Sequence, residues 1–332
     1  MKKLRIGLIG LGGIAGIHIA AYKRIQEAEI VSVADALGKE ARSYPMIKDN
    51  NVTLYSSYKD MIDNEDLDAV DICAPSNMHR EISVYALSRG LHVLCEKPMA
   101  TSAEDADAVA LAARESGKIY MCAQIIRFAE PYAYLRETVR SGELGKPVQL
   151  FMKRLSTVPV WRRANMGQDA KDNGGVMLDL SIHDVDFIYS LFGEPESING
   201  AYLQTGEGNV SDCFNANLIY KGCSVNISGA FYECEMPFQV EFHAIFERGY
   251  LKFEGGNFYK CGELLEDVKD VTYPGEVKGL NIEMSSRFVN EIQYFVDRVK
   301  SNVSPVIATA ESTAGGIRLA EKIIEKMERV KI

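Results

Sequence analysis

The chain has 332 residues, 47% hydrophobic and 25% charged, with 37 basic against 46 acidic side chains and a net charge of −9. That length exceeds one ordinary core and predicts two domains of globular composition. An acidic balance without any concentrated basic block argues against nucleic acid or anionic lipid as a partner.

No apolar run approaches the ~20 residues a membrane helix needs. Lys2, Lys3 and Arg5 ahead of an apolar run imitate a signal peptide, but five glycines between Gly7 and Gly16, and then His18, interrupt it. Seven cysteines without a Cys-x-x-Cys pair suggest reduced, mostly buried thiols and a cytoplasmic location. Strand-interior burial competes with a metal site for Cys213, Cys223 and Cys234.

Leu4, Ile6, Leu8 and Ile9 form a short buried strand, and glycines follow at 10, 12, 13 and 16. A helix is expected from Ile14 to about Gln26. Strand, glycine turn and helix present backbone N–H groups and a helix N-terminus to a pyrophosphate. The match is Gly10-x-Gly12-x-x-Ala15, and a glycine turn without a ligand is the alternative. A second strand, Glu29 to Ala34, ends in Asp35, 19 positions beyond Gly16 and near the ~20 expected for a ribose-binding carboxylate. A carboxylate accepts from both ribose hydroxyls and repels a 2′-phosphate, and Arg42 is the only arginine nearby. NAD is therefore favoured over NADP.

Strands at 52–55, 69–74, 91–95 and 119–123 alternate with helices at 57–64, 78–89 and from Thr101 or Ser102 to Ser116. This alternation predicts a Rossmann-type, doubly wound parallel sheet over residues 1–123. Ligands bind such sheets at the carboxyl ends of strands. Asp35, Pro75-Ser-Asn-Met-His79 and Glu96-Lys97-Pro98 all fall there. Pro98 restricts Lys97, which is either a cleft residue or an ordinary surface lysine. His79 could equally cap or anchor the helix it opens.

Residues 124–332 are expected to form a second, α+β domain. A helix from Tyr132 to about Ser141 leads to an extended stretch, Pro147 to Leu155, and then to a polar loop, 156–173, that holds Trp161. Gly174-Gly-Val-Met-Leu-Asp179-Leu-Ser-Ile-His183-Asp-Val-Asp186 opens a helix expected to run from Val176 to Phe192. There Asp179 and His183, at i and i+4, share a face, so the acid can fix the tautomer and raise the basicity of the imidazole. That pairing suits a general base, with Asp186 as a second orienter; a helix carboxylate beside a satisfied histidine is the bland alternative. Period-two strands at 197–205, 212–220, 224–232, 239–247 and 250–253 predict a large, mostly antiparallel open-faced sheet. Its aromatics (Phe214, Phe231, Tyr232, Phe238, Phe242, Phe246) are candidates to cover an oligomerisation face. Amphipathic helices are expected at Glu283–Lys300 and Ala308–Val330.

In this order the Gly10-x-Gly12-x-x-Ala15 turn, Pro75-Ser-Asn-Met-His79, Glu96-Lys97-Pro98, Arg127-Phe-Ala-Glu-Pro131 and Gly174-Gly-x3-Asp179-x3-His183 resemble the glucose–fructose oxidoreductase and inositol dehydrogenase family (the Gfo/Idh/MocA type) over essentially the whole chain. The wording around Asp179 and His183 is similar to the inositol dehydrogenase branch. A third glycine common before this helix is missing here, and Ser181 stands where some members have glycine, which leaves the branch and substrate open. The resemblance implies an NAD(P)-dependent dehydrogenase acting on a secondary hydroxyl of a sugar or cyclitol, and a homodimer or homotetramer formed through the C-terminal sheet. It implies Lys97, Asp179 and His183 as catalytic residues. The implied cofactor site is Gly10, Gly12, Gly13, Ile14 and Asp35, then Ala74, Pro75, Asn77 and His79, then Glu96, Lys97, Arg127 and Trp161. The substrate would meet Lys97, Arg163, Asp179 and His183, with Arg162 and Arg163 the candidates for an acidic or phosphorylated one. No metal is implied. An NAD-dependent glycosidase and a non-catalytic NAD-binding regulator are the alternative functions.

Overall fold

The computed structural model describes residues 2–36, 52–159, 175–204, 212–274 and 283–331. The chain divides into two compact units. One comprises Met1–Ala100, Glu104–Phe128 and Asp270–Ala314; the other comprises Thr101–Ala103, Ala129–Lys269 and Gly315–Ile332.

The first unit opens with β1 (Leu4–Ile9) and α1 (Gly13–Tyr22), followed by β2 (Ala28–Ala34) and β3 (Thr53–Tyr55). It continues through α2 (Tyr58–Asn64), β4 (Ala69–Ile72), α3 (His79–Ser88), β5 (His92–Glu96), α4 (Ala103–Ser116) and β6 (Tyr120–Ala123). The six strands are all parallel, in the order β3-β2-β1-β4-β5-β6, so the winding reverses between β1 and β4. All four residues of β4 and of β6 are buried, which is why these segments read as apolar runs without alternation. Helix α1 ends four residues before the expected Gln26. Arg24 and Ile25 donate to Ala21 and Tyr22 at 2.9 and 3.1 Å, tightening the chain out of the α conformation. Gly90 and Gly117, at φ +76° and +64°, end the helices before them as expected.

The second unit begins with α5 (Glu130–Ser141) and β7 (Pro147–Thr157). A π-helical stretch, Met177–Ser181, then runs into α6 (Ile182–Phe192). Strands β8 (Ser197–Gln204), β9 (Asp212–Tyr220), β10 (Cys223–Tyr232), β11 (Gln239–Phe246), β12 (Gly249–Glu254), β13 (Asn257–Lys260) and β14 (Glu263–Leu264) follow. Helices α7 (Ser286–Ser301) and α8 (Ala310–Lys326) and strand β15 (Glu328–Lys331) close the chain. The nine strands are ordered β14-β13-β12-β11-β7-β10-β9-β8-β15; β7–β10 and β8–β15 are parallel and the other pairs antiparallel.

Three further features differ from the sequence expectation. The last helix stops at Lys326, because Glu328–Lys331 completes the ladder of edge strand β8 instead of continuing the coil. Residues 270–314 return to the first unit, whereas the sequence suggests one unbroken second domain from 124 to 332. The cause is the apolar stripe of α7, where Phe288, Ile292, Phe295 and Val296 share a core with Ile17, Ala21 and Leu94. Finally, the aromatics proposed for the open face mostly point inward: Phe214, Phe231, Phe242 and Phe246 are buried, and Phe238 is exposed. A period of two puts polar side chains opposite them. Asn217 bonds Asn199 at 3.0 Å and Asn226, Gln149 reaches Asn226 at 3.4 Å, and Lys153 pairs with Glu241 at 2.7 Å.

All seven cysteines are free thiols. Cys223 is buried, Cys213 half-buried and Cys234 exposed, so these three follow their strand positions and do not share one environment.

Candidate functional site

In the first unit, the glycine turn is fixed by steric exclusion. Gly10 sits at φ +91°, and a Cβ there would lie 2.7 Å from the Cys73 carbonyl oxygen and 2.8 Å from the Ala74 nitrogen. No side chain fits at that position. Gly10 N–H donates to Ala34 at 2.8 Å, and Leu11 N–H donates to the Asp35 carboxylate at 2.8 Å. Gly12 and Gly13 are exposed, Ile14 is half-buried, and Gly12 offers the start of α1 no side-chain cap. Ala15 is fully buried, as the close-packing position requires. A dinucleotide's pyrophosphate fits these observations: a collision-free glycine approach, an uncapped helix N-terminus, and an acid tied to the same turn.

Around this turn stand the carboxyl ends of the neighbouring strands. Beyond β4, Ala74 is half-buried and Pro75 and Asn77 are exposed. Beyond β5, Lys97 is the one residue of 93–100 that is not buried. Its backbone is held from both sides. Lys97 N–H donates to Glu96 Oε2 at 2.9 Å, and the carbonyl of Pro98, which follows a cis peptide, lies 2.7 Å from His79 Nδ1.

Three residues expected to line the cofactor have buried side chains. His79 is 1% exposed, with its second nitrogen 2.8 Å from the Ala74 carbonyl, so it ties the ends of β4 and β5 together. Donation to both carbonyls requires the imidazolium; burial opposes that form and lowers the His79 pKa. Glu96 is 7% exposed. Arg127 is 4% exposed and donates to Ser312 at 2.8 Å.

A buried charged cluster that the sequence did not announce lies behind Glu96. His18, on α1, is fully buried, with Nδ1 2.8 Å from Asp71 Oδ2 and Nε2 3.0 Å from Glu96 Oε1. Burial alone would lower its pKa, but the Asp71 carboxylate reverses the sign and holds it well above the ordinary histidine value. Burial works against Glu96 too, yet His18 keeps its carboxyl below the usual range. Glu291, on α7, is also fully buried; desolvation and then Glu96 push its pKa well up, favouring the neutral acid. Among the described residues, one group combines metal-ligand types at close range: His18, Asp71 and Cys73. Burial pushes the Cys73 thiol up to about 12, which keeps it protonated and a weak ligand, and both nitrogens of His18 face carboxylates. The group is thus explained by its own internal bonds. Polar residues inside apolar runs (Asp71 in Ala-Val-Asp-Ile, His18 in Ile-His-Ile) were the available signal.

In the second unit, Asp179 and His183 lie on the segment that joins the π turn to α6. They are the two positions in 175–188 that are not buried. The sequence pattern predicts one α-helix here; the π turn adds a residue at Met177–Ser181. Since i→i+5 bonding takes between four and five residues per turn, positions four apart still share a side. A packing constraint accompanies the irregularity: Gly229 on β10 has no room for a Cβ, which would overlap Ser181 Oγ.

Several buried polar contacts anchor this segment. Asp212 Oδ2 accepts from Val176 N–H and from Tyr202 hydroxyl, each at 3.2 Å. Arg154 on β7 donates to both oxygens of Asp184 at 2.9 and 2.8 Å, the residues being 4% and 1% exposed. Asp186, considered as a second orienter for His183, is fully buried beside Gly316 of α8. Trp161, Arg162 and Arg163, like Arg42, lie outside the described residues.

Comparison with known proteins adds family evidence. The family model described as "Oxidoreductase family, NAD-binding Rossmann fold" matches residues 4–124, and the GFO/IDH/MocA C-terminal domain model matches residues 132–252. A 1,5-anhydro-D-fructose reductase of Ensifer adhaerens is 30% identical over 183 residues, 55% of this chain and 54% of that protein. A myo-inositol 2-dehydrogenase of Thermotoga maritima is 30% identical over 194 residues, 58% of this chain and 55% of that protein. These matches thus span about half the length of each relative. The crystal structure of a myo-inositol 2-dehydrogenase from Lactobacillus plantarum superimposes with a TM-score of 0.80 at 24% identity, covering 98% of this chain and 97% of that one. No helix among the described residues is long and apolar enough to cross a membrane.

Proposed function

The chain belongs to the Gfo/Idh/MocA oxidoreductase family, and from that premise we propose that it transfers a hydride between a nicotinamide and a secondary hydroxyl of a sugar or cyclitol. The observation that carries this is selective exposure. In the Glu-Lys-Pro segment only Lys97 is not fully buried, and in residues 175–188 only Asp179 and His183. Bound NAD supplies hydride acceptance at its nicotinamide ring. His183 takes the hydroxyl proton as general base, with Asp179 setting its tautomer and stabilising its charged form. Lys97 donates a hydrogen bond to the same oxygen and stabilises developing alkoxide charge. The turn from Gly10 to Ile14 binds the pyrophosphate, and Ala74, Pro75 and Asn77 line the adjacent strand ends. Asp35 binds the ribose hydroxyls and disfavours a 2′-phosphate, so NAD is the preferred cofactor. The enzyme works in the cytoplasm as a homodimer or homotetramer formed through the nine-stranded sheet.

The deciding experiment presents a panel of inositols and aldoses with NAD and with NADP and follows reduced cofactor by absorbance. Turnover of a cyclic polyol with NAD supports the proposal. Release of a glycosidic leaving group without net reduced cofactor would move the assignment to an NAD-dependent glycosidase. Tight NAD binding without any turnover would move it to a regulator.

A further inference from the structure

The first unit contains a continuous run of hydrogen-bonding groups that begins inside the sheet and ends on the backbone of Lys97. Asp71 Oδ2 lies 2.8 Å from His18 Nδ1, His18 Nε2 lies 3.0 Å from Glu96 Oε1, and Glu96 Oε2 accepts from Lys97 N–H at 2.9 Å. Its members come from β4, α1 and β5, and none is more than 7% exposed before the chain reaches Lys97. We propose that His18 is a positioning residue for Lys97, fixing through Glu96 the peptide plane from which the lysine side chain springs. The inference rests on the reading that Lys97 meets the substrate hydroxyl.

The chemistry of the run gives it direction. Both ring nitrogens of His18 face carboxylate oxygens, so both must donate, and the imidazolium form satisfies both acids at once. Glu96 then has each oxygen assigned, one to the imidazole and one to the Lys97 amide. Without the imidazole, Glu96 is a desolvated carboxylate with half its bonding lost; it protonates or turns, and the amide loses its anchor. Other titratable groups face the same pocket from every side. Cys73 directly follows β4, with Sγ 3.7 Å from Asp71 Oδ1; Tyr22 lies on α1; and Glu291 and Arg287 come from α7. The far side of the lysine is held independently by His79 through the Pro98 carbonyl. Lys97 is thus bracketed by two buried histidines.

The test uses the two amide mimics of histidine in the full-length chain. His18→Gln places a donor near the Nε2 position, facing Glu96; His18→Asn places one near Nδ1, facing Asp71. Positioning predicts that H18Q keeps kcat for a polyol substrate within about threefold. H18N loses about tenfold or more, while its KM and its Kd for NAD stay within about threefold. Hydrogen exchange at the Lys97 amide follows the same order, protected in the parent and in H18Q and accelerated in H18N. A role confined to neutralising Asp71 predicts the opposite order, and that order overturns the proposal. If H18N does not fold, the 15N spectrum of the parent at neutral pH decides: a proton on His18 Nε2 supports the chain, and an unprotonated Nε2 breaks it. Exchange and NMR need no substrate. A protein that shows both signatures but oxidises no polyol refutes the proposed function and leaves the positioning intact. Polyol oxidation at parental kcat by H18N refutes the positioning alone.

Discussion

Replacing Arg154 by methionine should be among the most damaging single changes in the second unit. Its guanidinium meets Asp184 as a two-toothed fork, at 2.9 and 2.8 Å, with the Tyr132 hydroxyl 3.5 Å away. The two residues are 4% and 1% exposed, so solvent does little to screen the pair. Methionine fills most of the volume but leaves a desolvated carboxylate without the guanidinium, and breaking a buried pair this way costs about 3–5 kcal/mol. Removing both charges, as Arg154→Met with Asp184→Leu, should recover most of that loss, because the desolvation of both ions disappears together. Urea unfolding followed by circular dichroism on the parent, both single variants and the double variant gives the cycle. Asp184 is the next residue after His183, so kcat should fall in R154M even where the protein remains folded. A loss below about 1 kcal/mol in R154M, or a double variant no better than the single, would refute the argument.

Other expectations follow from the same geometry. His183→Ala should lose most of kcat while NAD affinity, read by calorimetry, is kept; comparable turnover would remove His183 from the mechanism. Asp35→Ser should narrow the preference for NAD over NADP, because the carboxylate that accepts from Leu11 at 2.8 Å would no longer repel a 2′-phosphate. Unchanged selectivity would place the discriminating group elsewhere. Glu291 predicts a pH effect. Burial first, and then Glu96, raise its folded pKa well above 4.5, so between about 4.5 and that raised value the folded chain holds a proton the unfolded chain releases. Stability contributed by this group is therefore complete at low pH and is lost as pH rises. Glu291→Gln lacks this slope, and its urea midpoint should gain on the parent's from about pH 5 to pH 8; parallel curves would contradict it.

Much of the first unit was legible because its strands are short, buried and closed by glycines whose φ is positive, as at Gly90 and Gly117. Asp35 could be related to the glycine turn by its spacing of 19 from Gly16, and Leu11 N–H of that turn donates to its carboxylate at 2.8 Å. What stayed hidden depends on partners distant in sequence. Asp71 is conspicuous in an apolar strand, yet its partner His18 is 53 positions away. The π turn was invisible because Val176, Leu180, Ile182 and Val185 suit an α-helix equally well, and its close packing involves Gly229 on another element. Helix α7 showed its amphipathic stripe without showing that α1 would cover it. Alternation in the large sheet revealed two faces, and the ambiguity lay in which would be buried. The aromatics won that face because they remove the most apolar area from water.

The buried acids explain why Lys97 and His183 are held where they are. A carboxylate inside a protein is costly unless it accepts strong hydrogen bonds, so it persists where a donor must be fixed. Glu96 adjoins Lys97 and accepts its amide; Asp184 adjoins His183 and locks its turn to β7; Asp212 accepts the amide of Val176, where the Asp/His segment begins. Glu96 and Asp212 hold their segments through a backbone amide, and Asp184 holds its helix through the Arg154 guanidinium. A neutral substitute at Glu96 or Asp184 would keep the shape and weaken the hold. The losses should therefore appear first in kcat, through Lys97 and His183, and only later in the cofactor turn, whose geometry is set by Gly10 and by the Asp35 carboxylate on Leu11 N–H.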